Sequence, residues 1–224
     1  VRRFVFLSSA DRYGDHVPPF TESMTPRPLD PYGIGKVAAE NILRVLGQAH
    51  GMEWAIAVPH AVTGPRQRFV DPYRNVVGIM TNRMLQGRQP VIYGDGEQRR
   101  SFTFVSDCID PLVRMAEDPA VVGEVFNIGP DDESITINDL ARCIAKILDF
   151  DLQPIHAPSR LLEMRDVNCS AAKARRVLGY EPRKSFEEGV AETVAWIRQR
   201  GPRPFDYHLD VEIVNENTPK TWTE

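Results

Sequence analysis

Two serines and a tyrosine–lysine pair near the start of the chain have the residue types and spacing for proton transfer. Ser8 and Ser9 directly follow an apolar run rich in Val and Phe, residues 1–7 (VRRFVFL). Tyr32 and Lys36 are four residues apart, so on a helix they lie on one face. If the serines end a strand, they lie where ligands of open α/β sheets bind.

The chemistry open to these side chains is the removal of a proton from an alcohol. A tyrosine has an ordinary pKa of about 10, which is too high for a base at neutral pH. A nearby ammonium favours the phenolate and lowers that pKa, and a serine hydroxyl can bind the same substrate oxygen. Ser9, Tyr32 and Lys36 are therefore predicted to assist hydride transfer from an alcohol. The Tyr-x-x-x-Lys spacing alone is more typical of an exposed helical pair.

Alternating strands and helices are predicted to position these residues. Residues 1–7 have the pattern of a buried parallel strand. Pro31 and Gly51 mark the start and the end of a helix that carries Tyr32 and Lys36. Further along the chain, the patterns predict a strand over 54–62, a helix over 75–86, strands over 91–93, 101–105 and 125–128, a helix capped by Asp107, and helices opened by capping boxes at Thr136–Asp139 and Ser185–Glu188. This alternation predicts an α/β fold.

Six stretches of the chain together resemble a known family. They are FVFLSSADRYGD, DPYGIGKVAAE, GPRQ, IYGDGEQRRSFTFVSD, FNIG and KARRVLGYEP, and they run in family order from residue 4 to about 182. The chain resembles an extended short-chain dehydrogenase/reductase of the NAD-dependent nucleotide-sugar epimerase/dehydratase family. The resemblance implies the C-terminal part of a Rossmann-type doubly wound parallel sheet, with a smaller mixed α/β substrate-binding domain.

The resemblance also assigns roles to individual residues. Ser9 matches the catalytic Ser or Thr, Tyr32 the catalytic tyrosine, and Lys36 the lysine that holds the nicotinamide ribose. Ser8 and His60 fall beside the NAD cofactor, although His60 is equally typical of a buried strand-end histidine. The expected substrate-binding residues are Asn75, Val76, Tyr93, Arg100 and Arg165, of which Arg100 matches the arginine that grips the sugar-nucleotide diphosphate and Arg165 is equally typical of a surface arginine.

One family hallmark is not found in the sequence. The family begins with a strand, GxxGxxG and a helix, whose glycines let the dinucleotide pyrophosphate approach a helix N-terminus. This motif does not occur in the 224 residues, and the chain begins at Val1. We therefore expect the chain to be part of a longer protein and to bind NAD poorly by itself. A natural fragment is the alternative.

The family likeness also predicts a division of the chain. Residues 1–65 are expected to be the remainder of the NAD-binding domain, to which a later segment, about 101–130, returns. Residues 66–200 are expected to form mainly the substrate-binding cap, and 201–224 the C-terminal tail. The helix that carries Tyr32 and Lys36 is expected to form a homodimer interface, as in similar proteins.

The residues after Ser9 indicate which of the family's reactions to expect. Dehydratases of the family have an Asp-Glu pair there, whereas this chain has Ala10 and Asp11. C4 epimerases need no such acid, which favours epimerisation of a nucleotide-diphosphate sugar, a UDP-sugar above others, through a 4-keto intermediate. A decarboxylase or 4,6-dehydratase remains the alternative, with Asp11 as a further catalytic candidate or a solvated loop carboxylate. An inactive fragment or non-catalytic binding protein is the third hypothesis, supported by Ala61 where the family has a substrate-contacting Asn.

Composition excludes several other classes. The chain is 42% hydrophobic and 26% charged, with a formal net charge of −4. Disorder and a global basic field for nucleic acid or anionic lipid are therefore excluded. No apolar run approaches the roughly 18 residues of a membrane span, and no signal-peptide pattern opens the chain. The three cysteines fit neither a disulfide framework nor a metal knuckle, so we expect a cytoplasmic protein without a metal site.

Overall fold

The computed structural model of the chain describes residues 1–209, 214–215 and 218–222. Its contacts divide the chain into two units. Unit 1 comprises Val1–Val62, Arg100–Ser134 and Asp166–Lys184, and unit 2 comprises Thr63–Arg99, Ile135–Arg165 and the described residues from Ser185 onward.

Strands and helices alternate along the described residues. The strands are β1 (Arg3–Leu7), β2 (Glu53–Pro59), β3 (Val62–Thr63), β4 (Val91–Tyr93), β5 (Arg99–Arg100), β6 (Thr103–Phe104), β7 (Val125–Ile128), β8 (Ile135–Thr136), β9 (Ile155–Ala157) and β10 (Asp166–Val167). The α-helices are α1 (Pro31–His50), α2 (Val76–Leu85), α3 (Val105–Glu117), α4 (Ile137–Leu148), α5 (Ala172–Leu178) and α6 (Phe186–Arg200), and 3-10 turns occupy Ala10–Arg12, Pro119–Val121 and Lys220–Trp222.

Unit 1 is built on a parallel sheet with the strand order β1-β2-β7. Val5 pairs with Ala55, and Ala57 pairs with Phe126. The central strand β2 is buried on both faces, since residues 55–58 are fully inaccessible to solvent, as expected for a parallel strand covered by helices. Helices α1, α3 and α5 pack against this sheet. The predicted α/β class is confirmed.

Local caps explain why α1 begins and ends where it does. The Asp30 carboxylate accepts a hydrogen bond from the Gly33 N–H at 2.7 Å, and Pro31 occupies the first turn. Gly51 ends the helix with φ 63°, a conformation that glycine adopts without steric cost. The helix predicted from Pro31 to Gly51 is therefore confirmed at both ends. The capping box predicted for α6 is confirmed, with Ser185 and Glu188 bonded in both directions. For α4, the Thr136 side chain caps the helix by accepting from the Asp139 N–H.

Two of the predicted boundaries were wrong. Helix α3 begins at Val105 with Phe104 as its N-cap, so Asp107 lies inside the first turn and the preceding strand is only two residues long. Asp107 instead accepts a hydrogen bond from the Arg183 N–H at 3.2 Å, a contact between residues far apart in sequence. The strand predicted over 54–62 is interrupted after Pro59, because Ala61 has a positive φ of 45° that a strand cannot contain.

Unit 2 has a helical core. Helices α2, α4 and α6 pack on one another and bury Met80, Leu140 and Val194 almost completely. The short strands β4 and β9 pair in parallel beside them. Part of the predicted tail over 201–224 lies outside the described residues. Within the described part, the Asp206 N–H donates to the Val70 carbonyl at 2.8 Å.

A buried carboxylate ties together the three elements of unit 1 that carry the candidate catalytic residues. Glu40 of α1 is fully buried, and its Oε1 accepts a hydrogen bond from Ser8 Oγ at 2.5 Å. Its Oε2 accepts from Arg12 at 3.0 Å and from Arg44 at 3.2 Å. A buried charge is tolerated only when it is paired and hydrogen-bonded. The end of β1, the first 3-10 turn and the middle of α1 are therefore held by one group.

Removal of the Glu40 carboxylate should lower the stability of the folded protein. We expect Glu40→Ala to lower the free energy of unfolding by about 3–5 kcal/mol, because it leaves the buried Arg12 guanidinium without its counter-charge. Arg44→Ala is the matched control: the Arg44 side chain is 34% exposed, and removing an exposed ion-pair partner costs about 1 kcal/mol or less. Urea unfolding followed by circular dichroism measures both values. Equal losses in the two variants would show that the buried pair does not anchor these elements.

Candidate active site

The two serines at the end of β1 have different environments. Ser8 is buried, its N–H donates to the Ala57 carbonyl at 2.7 Å, and its hydroxyl is committed to Glu40. Ser9 is half-buried and caps the first 3-10 turn. Its Oγ accepts from the Asp11 N–H at 3.2 Å and donates to Asp11 Oδ2 at 3.0 Å. A second acceptor position on Ser9 Oγ remains for a ligand.

Helix α1 brings an ammonium to the same strand end. Lys36 Nζ donates to the Leu7 carbonyl at 2.9 Å and lies 5.5 Å from the centroid of the Tyr32 ring. Tyr32 is 54% exposed, so its ring is accessible to a ligand. A cation at this position stabilises the phenolate form of a neighbouring tyrosine. The structure thus places Lys36 beside both Tyr32 and the residue that precedes Ser8.

The Asp11 carboxyl is protonated more readily than a carboxyl in water. Burial raises the pKa of the Asp11 carboxyl above its ordinary value of 3.8, the Ser9 hydrogen bond opposes that rise, the Asp30 charge adds to it and the Arg100 charge opposes it. A carboxyl of this kind changes protonation at a higher pH than a solvated one. The alternative prediction of a solvated loop carboxylate does not match this half-buried, hydrogen-bonded group.

His60 directly follows β2, the strand next to β1. It is 2% exposed, and its Nε2 lies 3.2 Å from the Pro130 carbonyl oxygen. Burial lowers the pKa of His60 to about 4, so the ring is neutral at physiological pH. Its Nδ1 is buried and has no hydrogen-bond partner within the described residues. A Cβ on Gly129 would lie 2.3 Å from the ring, which explains a glycine at that position.

The predicted substrate-binding residues are distributed over both units. Arg100 belongs to unit 1, in β5. Asn75 and Val76 belong to unit 2, where Asn75 precedes α2 with φ 68° and Val76 is the first helical residue. Asn tolerates such a positive φ better than most residues.

Tyr93 and Arg165 are engaged by other side chains of unit 2. The Arg160 guanidinium lies over the Tyr93 ring at 4.2 Å, and the Tyr93 hydroxyl accepts from the Thr221 N–H at 3.1 Å. Arg165 binds both carboxylate oxygens of Asp95, at 2.8 and 2.9 Å, and these hydrogen bonds hold the pKa of Asp95 below its ordinary value. Nucleotide binding by Tyr93 and Arg165 stays a prediction.

The structure brings six predicted residues into one unit around the ends of β1 and β2, namely Ser8, Ser9, Asp11, Tyr32, Lys36 and His60. Glu40 was missed. Its spacing of seven residues from Gly33 and three from Leu43, both buried on α1, was a usable signal that it faces the interior. Its partner Arg12 gave no local signal, because a basic residue in a polar loop is usually solvated.

The described residues contain no group of three or more His, Cys, Asp or Glu side chains placed to hold a metal ion. In that same part of the chain, no helix combines the length and the apolar character needed for a membrane crossing. The thiols of Cys108, Cys143 and Cys169 are all unpaired.

Known proteins are similar to this chain in sequence and in fold. The model of the NAD dependent epimerase/dehydratase family matches residues 1–129. A UDP-glucose 4-epimerase of Mycolicibacterium smegmatis is 35% identical over 204 residues, which cover 89% of this chain and 64% of that protein. A UDP-N-acetyl-alpha-D-glucosaminuronate decarboxylase of Bacillus cytotoxicus is 30% identical over 211 residues, covering 88% and 64%.

A solved structure with a similar fold contains both a cofactor and a sugar nucleotide. It is the UDP-glucuronic acid 4-epimerase of Bacillus cereus in complex with UDP-glucuronic acid and NAD, which has a TM-score of 0.82 and 30% identity and covers 88% of this chain and 62% of its own. The chain therefore spans somewhat less than two thirds of the length of these relatives. Because the family model matches more than half of the chain, the chain belongs to the NAD dependent epimerase/dehydratase family.

Proposed function

We propose that the complete protein catalyses NAD-dependent epimerisation of a nucleotide-diphosphate sugar at C4, through a 4-keto intermediate. The observation that carries this proposal is the position of the Lys36 ammonium, 2.9 Å from the Leu7 carbonyl and 5.5 Å from the Tyr32 ring centroid. It supports the proposal because Ser9 follows Leu7 by two residues, so that a phenol, a cation and a hydroxyl belong to the same strand end. The similarity to a UDP-glucose 4-epimerase supports the same reaction.

In this proposal, Tyr32 receives the proton of the sugar C4 hydroxyl, and Ser9 binds the same oxygen. Lys36 stabilises the Tyr32 phenolate and binds the nicotinamide ribose. A 4-keto sugar that turns over in the site and is reduced on its other face gives the C4 epimer. The residues return the proton to the same oxygen, so the reaction needs no additional acid at Ala10.

The strand ends of unit 1 fit the nicotinamide half of NAD. The buried, unpartnered Nδ1 of the neutral His60 is an acceptor that an amide donor would satisfy. The hydroxyl of Ser9 and the ammonium of Lys36 suit a ribose. NAD supplies the acceptor and donor of the hydride. The glycine-rich motif that binds the NAD pyrophosphate does not occur in the 224 residues. The proposal therefore concerns NAD binding by the complete protein.

The second candidate is decarboxylation or 4,6-dehydration of a sugar nucleotide on the same scaffold. Asp11 favours it, because a carboxyl whose pKa is raised by burial can act as an acid beside Ser9. The similarity to a UDP-N-acetyl-alpha-D-glucosaminuronate decarboxylase also supports it. We place it second because Ala10 carries no acid where dehydratases have one.

For the substrate, we propose a UDP-sugar whose diphosphate is bound by Arg100 of unit 1; nucleotide contacts by Asn75, Val76, Tyr93 and Arg165 stay predictions. A planar guanidinium binds phosphate oxygens in a bidentate manner. In this structure, the Arg165 guanidinium already binds Asp95 through two of its five N–H donors.

We also propose that the protein is a cytoplasmic homodimer. On α1, Ile42, Val45 and Leu46 are 59%, 65% and 45% exposed, an apolar surface of the kind that a second copy buries. The unpaired thiols fit a reducing compartment.

Replacing the Tyr32 hydroxyl tests the proposed reaction. In the complete protein, expressed from the full reading frame that encodes this chain, Tyr32→Phe should lower the kcat for interconversion of UDP-glucose and UDP-galactose by roughly a hundredfold or more. Tyr207→Phe, at an exposed tyrosine of the tail, should leave it unchanged. A coupled NADH assay measures both. Release of CO2 from UDP-glucuronate without epimerisation would favour the second candidate instead.

Arg100 should contribute most of the diphosphate affinity. Arg100→Ala is expected to weaken UDP binding by about tenfold or more, because a charge-assisted hydrogen bond contributes about 1.5–3 kcal/mol. Arg99→Ala, at the adjacent exposed residue, is the matched control and should bind UDP as the parent does. Isothermal titration calorimetry gives the dissociation constants. Equal affinities in the two variants would remove Arg100 from the site.

A charge in the exposed apolar surface of α1 should separate the proposed dimer. Val45→Glu is expected to give a monomer in sedimentation velocity at micromolar concentration, because burying an unpaired carboxylate is costly. Val113→Glu, at a residue of α3 that is 49% exposed, should leave the dimer intact. A wild-type protein that sediments as a monomer would contradict the interface.

A further inference from the structure

The last described residues of the chain lie against two segments of unit 2 that are far from them in sequence. Thr221 is 4% exposed, and its N–H donates to the hydroxyl of Tyr93, the last residue of β4, at 3.1 Å. Thr221 Oγ1 lies 3.2 Å from the same hydroxyl and 3.4 Å from the carbonyl oxygen of Pro72, which precedes α2. The Trp222 ring packs edge-on against Tyr73, with 5.4 Å between the ring centroids. We call Thr221 and Trp222 the C-terminal clasp.

The number of hydrogens available to the clasp fixes the direction of these bonds. A carbonyl oxygen can only accept, so the Thr221 hydroxyl donates its one hydrogen to Pro72. The Thr221 hydroxyl oxygen then accepts the hydrogen of the Tyr93 hydroxyl, and the Tyr93 oxygen accepts from the Thr221 N–H. Thr221 therefore joins the side chain of Tyr93 to the backbone of the segment before α2.

The segment that the clasp contacts leads directly into the predicted nucleotide-binding residues. Asp71 is 1% exposed, and its carboxylate accepts a hydrogen bond from the Tyr73 N–H at 2.9 Å. Asn75 follows Tyr73 by two residues, and α2 begins directly after Asn75. The Tyr73 ring also contacts the His208 ring at a centroid distance of 5.1 Å. The C-terminal tail thus contacts this segment through both His208 and the clasp.

The clasp holds Tyr93 at the rim of its ring. Thr221 binds the hydroxyl, whereas the Arg160 guanidinium lies over a face of the ring, 4.2 Å from the centroid. A nucleotide base stacks on the face of an aromatic ring, and a hydrogen bond to the hydroxyl does not cover a face. The clasp can therefore orient Tyr93 without competing with a base that stacks on it.

We propose that the C-terminal clasp is a positioning element for the nucleotide of the substrate, and that nucleotide binding is coupled to docking of the tail. This inference rests on the proposed UDP-sugar substrate, whose nucleotide contacts are predicted at Tyr93, Asn75 and Val76. A ligand that requires both segments in fixed positions binds more tightly while Thr221 joins them. Because such coupling is reciprocal, the bound ligand stabilises the docked clasp by the same factor.

Substitutions of Thr221 in the complete protein test this coupling. Thr221→Val keeps the shape of the side chain and removes its hydroxyl, so its Kd for UDP should rise about three- to tenfold, as for the loss of a neutral hydrogen bond. Thr221→Ser retains the hydroxyl and should stay within about twofold of the wild type. Isothermal titration calorimetry measures both constants. Equal affinities in the two variants, or weaker binding by Thr221→Ser than by Thr221→Val, would overturn the proposal, since the latter order indicates packing alone.

Hydrogen exchange gives a second readout that requires neither a substitution nor activity. When UDP is added to the complete wild-type protein, the amide of Thr221, which is bonded to Tyr93, should exchange more slowly, because the ligand stabilises the docked clasp. UDP binding without this protection would overturn the coupling and leave the proposed reaction standing. Protection in a protein that does not interconvert sugar nucleotides would support the coupling and reject the proposed reaction. A complete protein that binds no UDP would reject the proposed substrate and the coupling together.

Discussion

A carboxylate sealed from water beneath the end of β1 determines how the candidate site is built. Glu40 is fully buried, so each of its oxygens must be satisfied within the protein. Ser8 and Arg12 supply the donors from the strand end and the following turn. If either segment shifted, the buried Glu40 carboxylate would lose a hydrogen-bond donor. Ser9 and Asp11 lie between these two donors, and Lys36 lies one helical turn before Glu40. The geometry of the site therefore depends on one buried ion pair, between Glu40 and Arg12.

Whether a structural element can be predicted from the sequence depends on how close in sequence the residues that contact one another are. The ends of α1 were predictable because Asp30, Pro31 and Gly51 are neighbours of the helix they bound. The N-cap contact of α4 and the capping box of α6 each join residues only three positions apart. Asp107, by contrast, has the composition of a cap but serves the Arg183 N–H, 76 residues away. A pattern within one segment contains no information about such a partner.

The same distinction applies to the site. Residue types and spacing identified Ser9, Tyr32 and Lys36, because the strand end and one helix face suffice to place them. The sequence placed Ser8 beside the cofactor but gave no sign that its hydroxyl binds Glu40, 32 residues away. The engagement of Arg165 by Asp95 spans 70 residues and was equally invisible. The sequence thus indicates which side chains are capable of acid–base chemistry, and the structure shows the contacts that constrain each of them.

The adjacent serines show why this limit matters. Consecutive residues at the end of an extended strand point to opposite sides, so a Ser-Ser pair supplies one hydroxyl to the interior and one to the ligand side. The inner hydroxyl of Ser8 satisfies a buried charge. The outer hydroxyl of Ser9 is held by Asp11, two residues further along the same turn. One turn of chain therefore supplies both the Ser8 hydroxyl that binds the buried Glu40 carboxylate and the Ser9 hydroxyl on the other side of the strand end.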